Sequence, residues 1–261
     1  MSPQPIERSH ARKREAAMPF IMLTVLIDMV SIGLIVPVIP LIVGQFTNSP
    51  AAQTFWFGAV TLAFGIANFF ASPVLGALSD RYGRRPVLLM GFSGLAVSFI
   101  VTGLATAMWM LIAVRLFSGA MQSNVAIASA YVADITPADQ RARRFGLLGA
   151  MFGIGFTLGP AMGGLLGAID IHWPFFVAGA LAIINWMYGY FVLPESLPKE
   201  RRSATFDWSH AKPMGGVKLL RNYPQIWGLV AVVFIANFAH YVYPSTFVLY
   251  ADASFGWKEK Q

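Results

Sequence analysis

Seven stretches of this chain are apolar enough and long enough to cross a bilayer, and the basic residues between them alternate by side. The stretches run roughly over 18–44, 54–78, 87–105, 109–132, 145–168, 174–193 and 224–250. Each comes close to or exceeds the roughly 20 residues needed to span a hydrocarbon core. With the N-terminus in the cytoplasm, the inward connections hold Arg8, Arg12, Lys13, Arg14, Arg81, Arg84, Arg85, Arg141, Arg143 and Arg144. The last inward connection adds Lys199, Arg201, Arg202, Lys212, Lys218 and Arg221. The outward loops carry no Lys or Arg, the outward tail carries Lys258 and Lys260, and Arg115 lies inside a span. Sixteen of the nineteen cations therefore fall on one side. That asymmetry sets orientation, and it predicts an all-α, multi-pass protein of the cell inner (plasma) membrane.

Composition agrees. The chain is 56% hydrophobic and 12% charged, against about a quarter charged in soluble domains. The net charge of +7 resides in short loops between apolar spans, so it reads as bilayer orientation and gives no reason to expect a nucleic-acid partner. There is no cysteine, which removes disulfides and thiolate metal sites. The first apolar run is too long for a signal-peptide core and is read as a retained helix.

The connections divide the chain into an N-terminal cytoplasmic tail (1–17), a six-helix unit (18–193), a cytoplasmic linker (194–223), a seventh membrane helix (224–250) and an external tail (251–261). Prolines at 194, 198 and 213 discourage a continuous helix through the linker. The inward loops after the second and fourth spans both open with an Asp, Asp80 and Asp134, and close with arginines. They do not occupy equivalent places in inverted repeats, so the echo reflects common loop physics more than duplication.

Apart from His240, the spans hold one acid and one base, Asp28 and Arg115. A charge near a helix centre costs about 2.5–3.5 kcal/mol on insertion scales, so each needs a reason. Asp28 lies ten residues into the first span, or about 15 Å deep at 1.5 Å per residue. Thr24, Asp28 and Ser31 share one face. Two readings stay open: a carboxylate that couples protons or substrate, or a structural ion pair with Arg115. Ser118 and Gln122 extend a polar stripe from Arg115, whereas Asn124, nine residues on, falls half a turn out of phase and is excluded from it. Asn68 and Gln122 either line a substrate path or merely bond helices together. His240 is read as a hydrogen-bonded structural residue, with a proton relay as the alternative.

The fifth span carries Gly146, Gly149, Gly153, Pro160, Gly163 and Gly167 at steps of three, four and seven, with Gly155, Gly159 and Gly164 beside them. Such a smooth stripe permits close helix packing, and Gly159-Pro160 is also a place to bend. No His/Glu pair has metal-ligand spacing, and no phosphate-binding glycine loop, nucleophile elbow or carboxylate pair is present. No cofactor, no metal and no enzymatic activity are expected.

At these residues the chain resembles the drug:proton antiporter branch of the major facilitator superfamily, and most of all its tetracycline-efflux-type members. Gly76-Ala77-Leu78-Ser79-Asp80-Arg81-Tyr82-Gly83-Arg84-Arg85-Pro86 resembles the loop signature between helices 2 and 3. Arg115 with Gly119 resembles the helix 4 signature, with Ser118 where glutamine is common. Gly155 through Gly164, including Gly159-Pro160 and Gly163, resembles the helix 5 antiporter signature, and Asp28 with Gly33, Pro37 and Pro40 that of helix 1. The resemblance implies a gating role for Asp80 and the arginines around it, and coupling by Asp28 and Arg115. It also implies a pocket lined in part by Asn68.

Two departures shape the expectation. Ser98 stands where tetracycline exporters tend to carry an acid, which counts against tetracycline itself and leaves export of some other compound open. The superfamily also pairs two six-helix halves, whereas this chain stops soon after its seventh helix, so a truncated chain is expected, completed by a missing C-terminal half or a second copy. The expected function is proton-coupled efflux of small amphipathic compounds by alternating access, with the lipid bilayer, protons and the substrate as partners. A nutrient symporter and a non-transporting membrane fragment are the alternatives.

Overall fold

The computed structural model describes residues 5–122, 124–203 and 223–255, with backbone alone for 5–16, 240–249, 251–253 and 255. His240 and most of the linker therefore lie outside the described side chains. All the regular structure among the described residues is helical: α1 (Pro5–Ile35), α2 (Ile39–Gly44), α3 (Pro50–Tyr82), α4 (Arg84–Gly103), α5 (Met108–Met121), α6 (Asn124–Ile135), α7 (Arg141–Gly167), α8 (Trp173–Phe191) and α9 (Trp227–Phe255), with 3₁₀ turns at Ala138–Gln140, Lys199–Arg201 and Pro224–Ile226.

Six candidate spans follow, over Ala17–Gly44, Pro50–Tyr82, Arg84–Gly103, Met108–Ile135, Ala138–Gly167 and Trp173–Phe191. They match the first six apolar runs, with some ends lying a few residues further out and others a residue or two short. The seventh run begins in the 3₁₀ turn ahead of α9 and continues into that helix, and Pro224–Ala239 forms a shorter apolar stretch among the described residues. There Leu229, Val232, Phe234, Ile235 and Phe238 stand exposed.

Two spans are not the single helices that hydropathy alone implies. The first breaks between α1 and α2, where Pro37 and Pro40 supply no N–H to the preceding turn. Pro40 falls in the first turn of α2, where a missing donor costs nothing, and its carbonyl accepts from Gln53 Nε2 at 2.9 Å. The fourth breaks after Met121, with Gln122 at φ −89°, ψ 73°. No proline causes this second break.

The bundle packs α1 against α7 and α8, α3 against α5, and α4 against α5 and α8. Buried side chains form two apolar cores stacked along the helices. On α1 the first core ends with Met29 and the second begins with Leu34; on α4 the corresponding residues are Phe92 and Leu95. The α1–α7 contact is the most extensive among the described helices, and its backbones approach closely. A Cβ on Gly159 would lie 2.6 Å from Gly33 Cα, and one on Gly33 would lie 3.0 Å from Pro160 Cδ. Gly155 and Gly163 press the same way on Met29 and Leu34.

This corrects the single glycine stripe expected of the fifth span. Gly146, Gly149, Gly153 and Gly164 have nothing within 4 Å of a would-be Cβ. Only the Gly155/Gly159/Gly163 face grips α1: residues three and four apart share a face, and Gly155, two positions on from Gly153, lies on nearly the opposite side of the helix from it.

Only 11% and 17% of the most apolar windows of the second and fifth spans are buried, against 56% and 61% for the first and third. Thus α3 and α7 turn rows such as Leu62, Ile66, Phe69, Leu158 and Leu165 outward. No water-facing surface carries so much apolar area. These faces suit lipid or another membrane helix.

Candidate functional site

Asp28 sits near the end of the first core and is 5% exposed. Apolar side chains from four helices, Met29 of α1, Phe92 of α4, Val125 of α6 and Phe152 of α7 among them, close a crevice around it. Asp28 is the one titratable group in that lining. Its partner is Asn124, whose Nδ2 donates to Asp28 Oδ1 at 3.3 Å. Gly91 of α4 makes the room, since any Cβ there would collide with Asn124 Oδ1.

Thr24, Asp28 and Ser31 are all buried on one face, as their spacing predicts. The Ser31 hydroxyl is spent on the Ile27 carbonyl at 2.7 Å. The oxygens Thr24 Oγ1 and Asn124 Oδ1 have no hydrogen-bond partner among the described residues. One turn below Asp28, Asn185 Nδ2 of α8 donates to the Thr24 carbonyl at 2.9 Å and ties α8 to α1.

The excluded Asn124 is thus the residue that touches Asp28, which corrects the phase argument made from Arg115. Counting 100° per residue holds only along an unbroken helix, and the break after Met121 resets the phase. Arg115 is buried at 9% exposure and lies on α5, before the break. Among the described residues it forms no ion pair, with Asp28 or any other acid.

Asn68 explains the break. Its Nδ2 donates to the carbonyl of Gln122 at 2.5 Å and to that of Gly119 at 3.3 Å. The Gln122 carbonyl lies where the helix stops, while that of Gly119 also keeps a bond from the Gln122 N–H at 3.3 Å. Non-helical backbone at membrane depth is tolerated when such partners satisfy it. Gly119 allows the approach, because a Cβ there would strike the Phe64 carbonyl. Gln122 enters this contact through its backbone.

A second polar cluster closes the arginine-bearing end. Gly83 caps α3 with φ +108°, a conformation glycine tolerates best, and starts α4 at Arg84. Arg84 Nη1 meets Asp80 Oδ1 at 2.6 Å, and Nε meets Asp134 Oδ2 of α6 at 3.1 Å. The same Nη1 donates to Ser79 Oγ at 2.6 Å, and Ser79 Oγ in turn donates to the Gly76 carbonyl at 2.7 Å. Arg84 N–H donates to Glu195 Oε1 at 2.9 Å, and Arg202 Nη2 lies 3.6 Å from Glu195 Oε2. Arg85 caps α8 by donating to the carbonyls of Gly189 and Tyr190. Arg81 only lies over the Tyr82 ring, 5.4 Å from its centroid. The arrangement is a clasp joining the second, third, fourth and sixth spans to the start of the linker.

Reading the sequence singled out the arginine side of this clasp and missed Glu195 as its hub. An acid directly after Pro194, at the end of a span, was the available signal. No cluster of three metal-ligating side chains occurs among the described residues.

Residues 21–260 match the family model described as Major Facilitator Superfamily. The chain belongs to that superfamily. It is therefore part of a multi-pass transporter family, and not an enzymatic one. The class C tetracycline resistance protein of Escherichia coli is 36% identical over 94% of this chain and 61% of its own length. The class B protein of Escherichia coli is 33% identical over 89% of this chain and 57% of its own. The facilitator chain thus spans about three-fifths of the length of these relatives. Among solved structures, the human organic anion transporter MFSD10 superposes with a TM-score of 0.75 at 23% identity, covering 95% of this chain and 67% of that one. A bacterial homologue of the lysosomal transporter Spinster gives 0.72 at 16%, covering 94% and 57%. Both likenesses establish the fold.

Proposed function

We propose that this facilitator chain forms the proton-handling part of an exporter of small amphipathic compounds, operating by alternating access in the inner membrane with its N-terminus cytoplasmic. The observation that carries the reading is Asp28: a carboxylate enclosed by apolar side chains, with one amide as its partner and no cation within ion-pair distance among the described residues. Ionisable groups inside spans are functional by default, and a carboxylate so placed can take up and release a proton once per cycle. Arg115, buried and unpaired among the described residues, is the proposed second coupling group. The clasp around Arg84 and Glu195 is the proposed inner gate, the Gly155/Gly159/Pro160/Gly163 face of α7 the proposed sliding surface on α1, and Asn68 and Gln122 line the proposed substrate path.

Export is favoured by the relatives, which are named for resistance to tetracycline or, in Bacillus subtilis at 31% identity, for multidrug resistance. Tetracycline itself is not the proposed compound. Ser98 is buried and its hydroxyl donates to the Gly94 carbonyl at 2.8 Å, so no carboxylate is offered there.

The reading is tested in inside-out vesicles, with the chain expressed alone and together with the remaining helices of a homologous exporter. Addition of the exported compound should release a preformed pH gradient in the completed carrier. Asp28→Asn should abolish that release while leaving the protein in the membrane. Full proton-driven efflux in the variant refutes the coupling role, and flux in the opposite direction refutes export.

A further inference from the structure

Asn124 has one hand on Asp28 and the other free. Its Nδ2 donates to Asp28 Oδ1 at 3.3 Å, while its Oδ1, enclosed in the same packing, has no hydrogen-bond partner among the described residues. A buried amide oxygen left without a donor costs free energy, and native structures rarely leave one unexplained. The donor it lacks is absent while Asp28 is ionised and would be present once Asp28 carries a proton.

The amide can serve both states of the acid. Facing a carboxylate it donates N–H. Facing a carboxylic acid, after turning over, it accepts the new O–H through Oδ1. Around Asp28, α1 offers the unpartnered Thr24 hydroxyl, α4 offers Leu88 and Phe92, α6 offers Val125 and Ala128, and α7 offers Phe152, with no other titratable or charged side chain in the lining. Gly91 alone among possible residues at its position leaves the amide space.

Asn124 is also the first residue of α6, directly after the break that Asn68 holds by the Gln122 and Gly119 carbonyls. We infer that Asn124 is the positioning residue through which the protonation state of Asp28 reaches the α5–α6 break. The inference rests on the proton-handling reading of Asp28 proposed above.

The test uses the full 261-residue chain in detergent or nanodiscs. Asp28 is labelled with dicyclohexylcarbodiimide, which modifies protonated carboxyls in apolar surroundings, and labelling is followed by mass spectrometry against pH. A hydrogen bond to an ionised acceptor is about twice as strong as one between neutral groups, so losing the amide favours the acid form. Asn124→Ala should raise the labelling midpoint by about one pH unit, a tenfold change in proton affinity. Gly91→Ala, which displaces the amide without removing it, should move the midpoint the same way. Asn185→Ala removes a buried amide bonded elsewhere and should leave the midpoint in place.

Because the chain has no cysteine, a bimane on Phe117→Cys, exposed on α5 ahead of the break and outside the Asp28 lining, can report on the break. Its emission should titrate with the labelling and go flat when Asn124→Ala is added. Labelling that titrates but does not move in Asn124→Ala, or moves equally in Asn185→Ala, overturns the inference and spares the proton-handling reading. Asp28 that labels at no pH overturns both.

Discussion

Arg84 Nε donates to Asp134 Oδ2 at 3.1 Å, bonding the start of the third span to the end of the fourth. The Arg84 side chain is 11% exposed and its Asp80 partner 54%, so the two acids it touches are unequal. The Asp134 contact is sheltered and shared with Ser196 Oγ at 3.4 Å, whereas the Asp80 contact is open to screening.

The difference predicts unequal mutants. Arg84→Ala strands Asp134 and frees Ser79, and should cost about 2–3 kcal/mol of stability. Asp80→Ala removes an exposed pair and should cost less than about 1 kcal/mol. Denaturant titration of the detergent-solubilised chain, read by tryptophan fluorescence, separates the two; equal losses would contradict the division.

Glycine substitutions on α7 should split by face in the same assay. Gly159→Val places side-chain atoms where Gly33 Cα already sits within 2.6 Å of a would-be Cβ, and should cost about 2–3 kcal/mol by overpacking. Gly153→Ala meets nothing within 4 Å and should be neutral, or stabilising by up to about 1 kcal/mol through helix propensity. A large loss at Gly153 would mean that a neighbour covers that face.

The contrast marks what local pattern can carry. The spans were legible because hydropathy and charge asymmetry are properties of consecutive residues, and α1 with α2 betrayed its break through Pro37 and Pro40. The break after Met121 was not legible, since nothing between Gly119 and Asn124 forbids a helix and the deciding hydrogen bonds come from Asn68, 51 and 54 positions away. Asn124 was misassigned for the same reason. At the clasp, Asp80, Arg84 and Arg85 stood out as a run, but Glu195 joins them across 111 residues, a separation that no periodicity reports. Asp28 was visible as a lone acid, while its partner was a matter of tertiary packing.

Asn68→Leu should loosen the break without unfolding the bundle. It leaves the Gly119 and Gln122 carbonyls without their amide donor, at a cost of about 1 kcal/mol by the average for hydrogen bonds inside membrane proteins. The effect should be local: amide hydrogen exchange in the peptide covering 119–124 accelerates, while that of α4 stays unchanged. Unaltered exchange at 119–124 would show that packing alone holds the break.

At the opposite end of α7, Asp170 Oδ1 accepts from the His172 backbone N–H and pairs with its Nδ1, each at 2.8 Å. These bonds, the backbone one first, hold the Asp170 carboxyl below its usual value. A carboxyl lowered by folding contributes stability that is present above its unfolded value, about 3.9, and is lost as pH falls through the lower folded one. The 168–172 loop should therefore stay ordered down to about that pH and loosen below it. His172→Ala removes the ring but keeps the N–H, so the Asp170 titration should rise only part of the way to the ordinary range. Carbon-13 NMR of aspartate-labelled chain reads this directly. A midpoint that does not move in His172→Ala would assign the whole effect to the backbone bond, and one that reaches the unperturbed value would assign it to the ring.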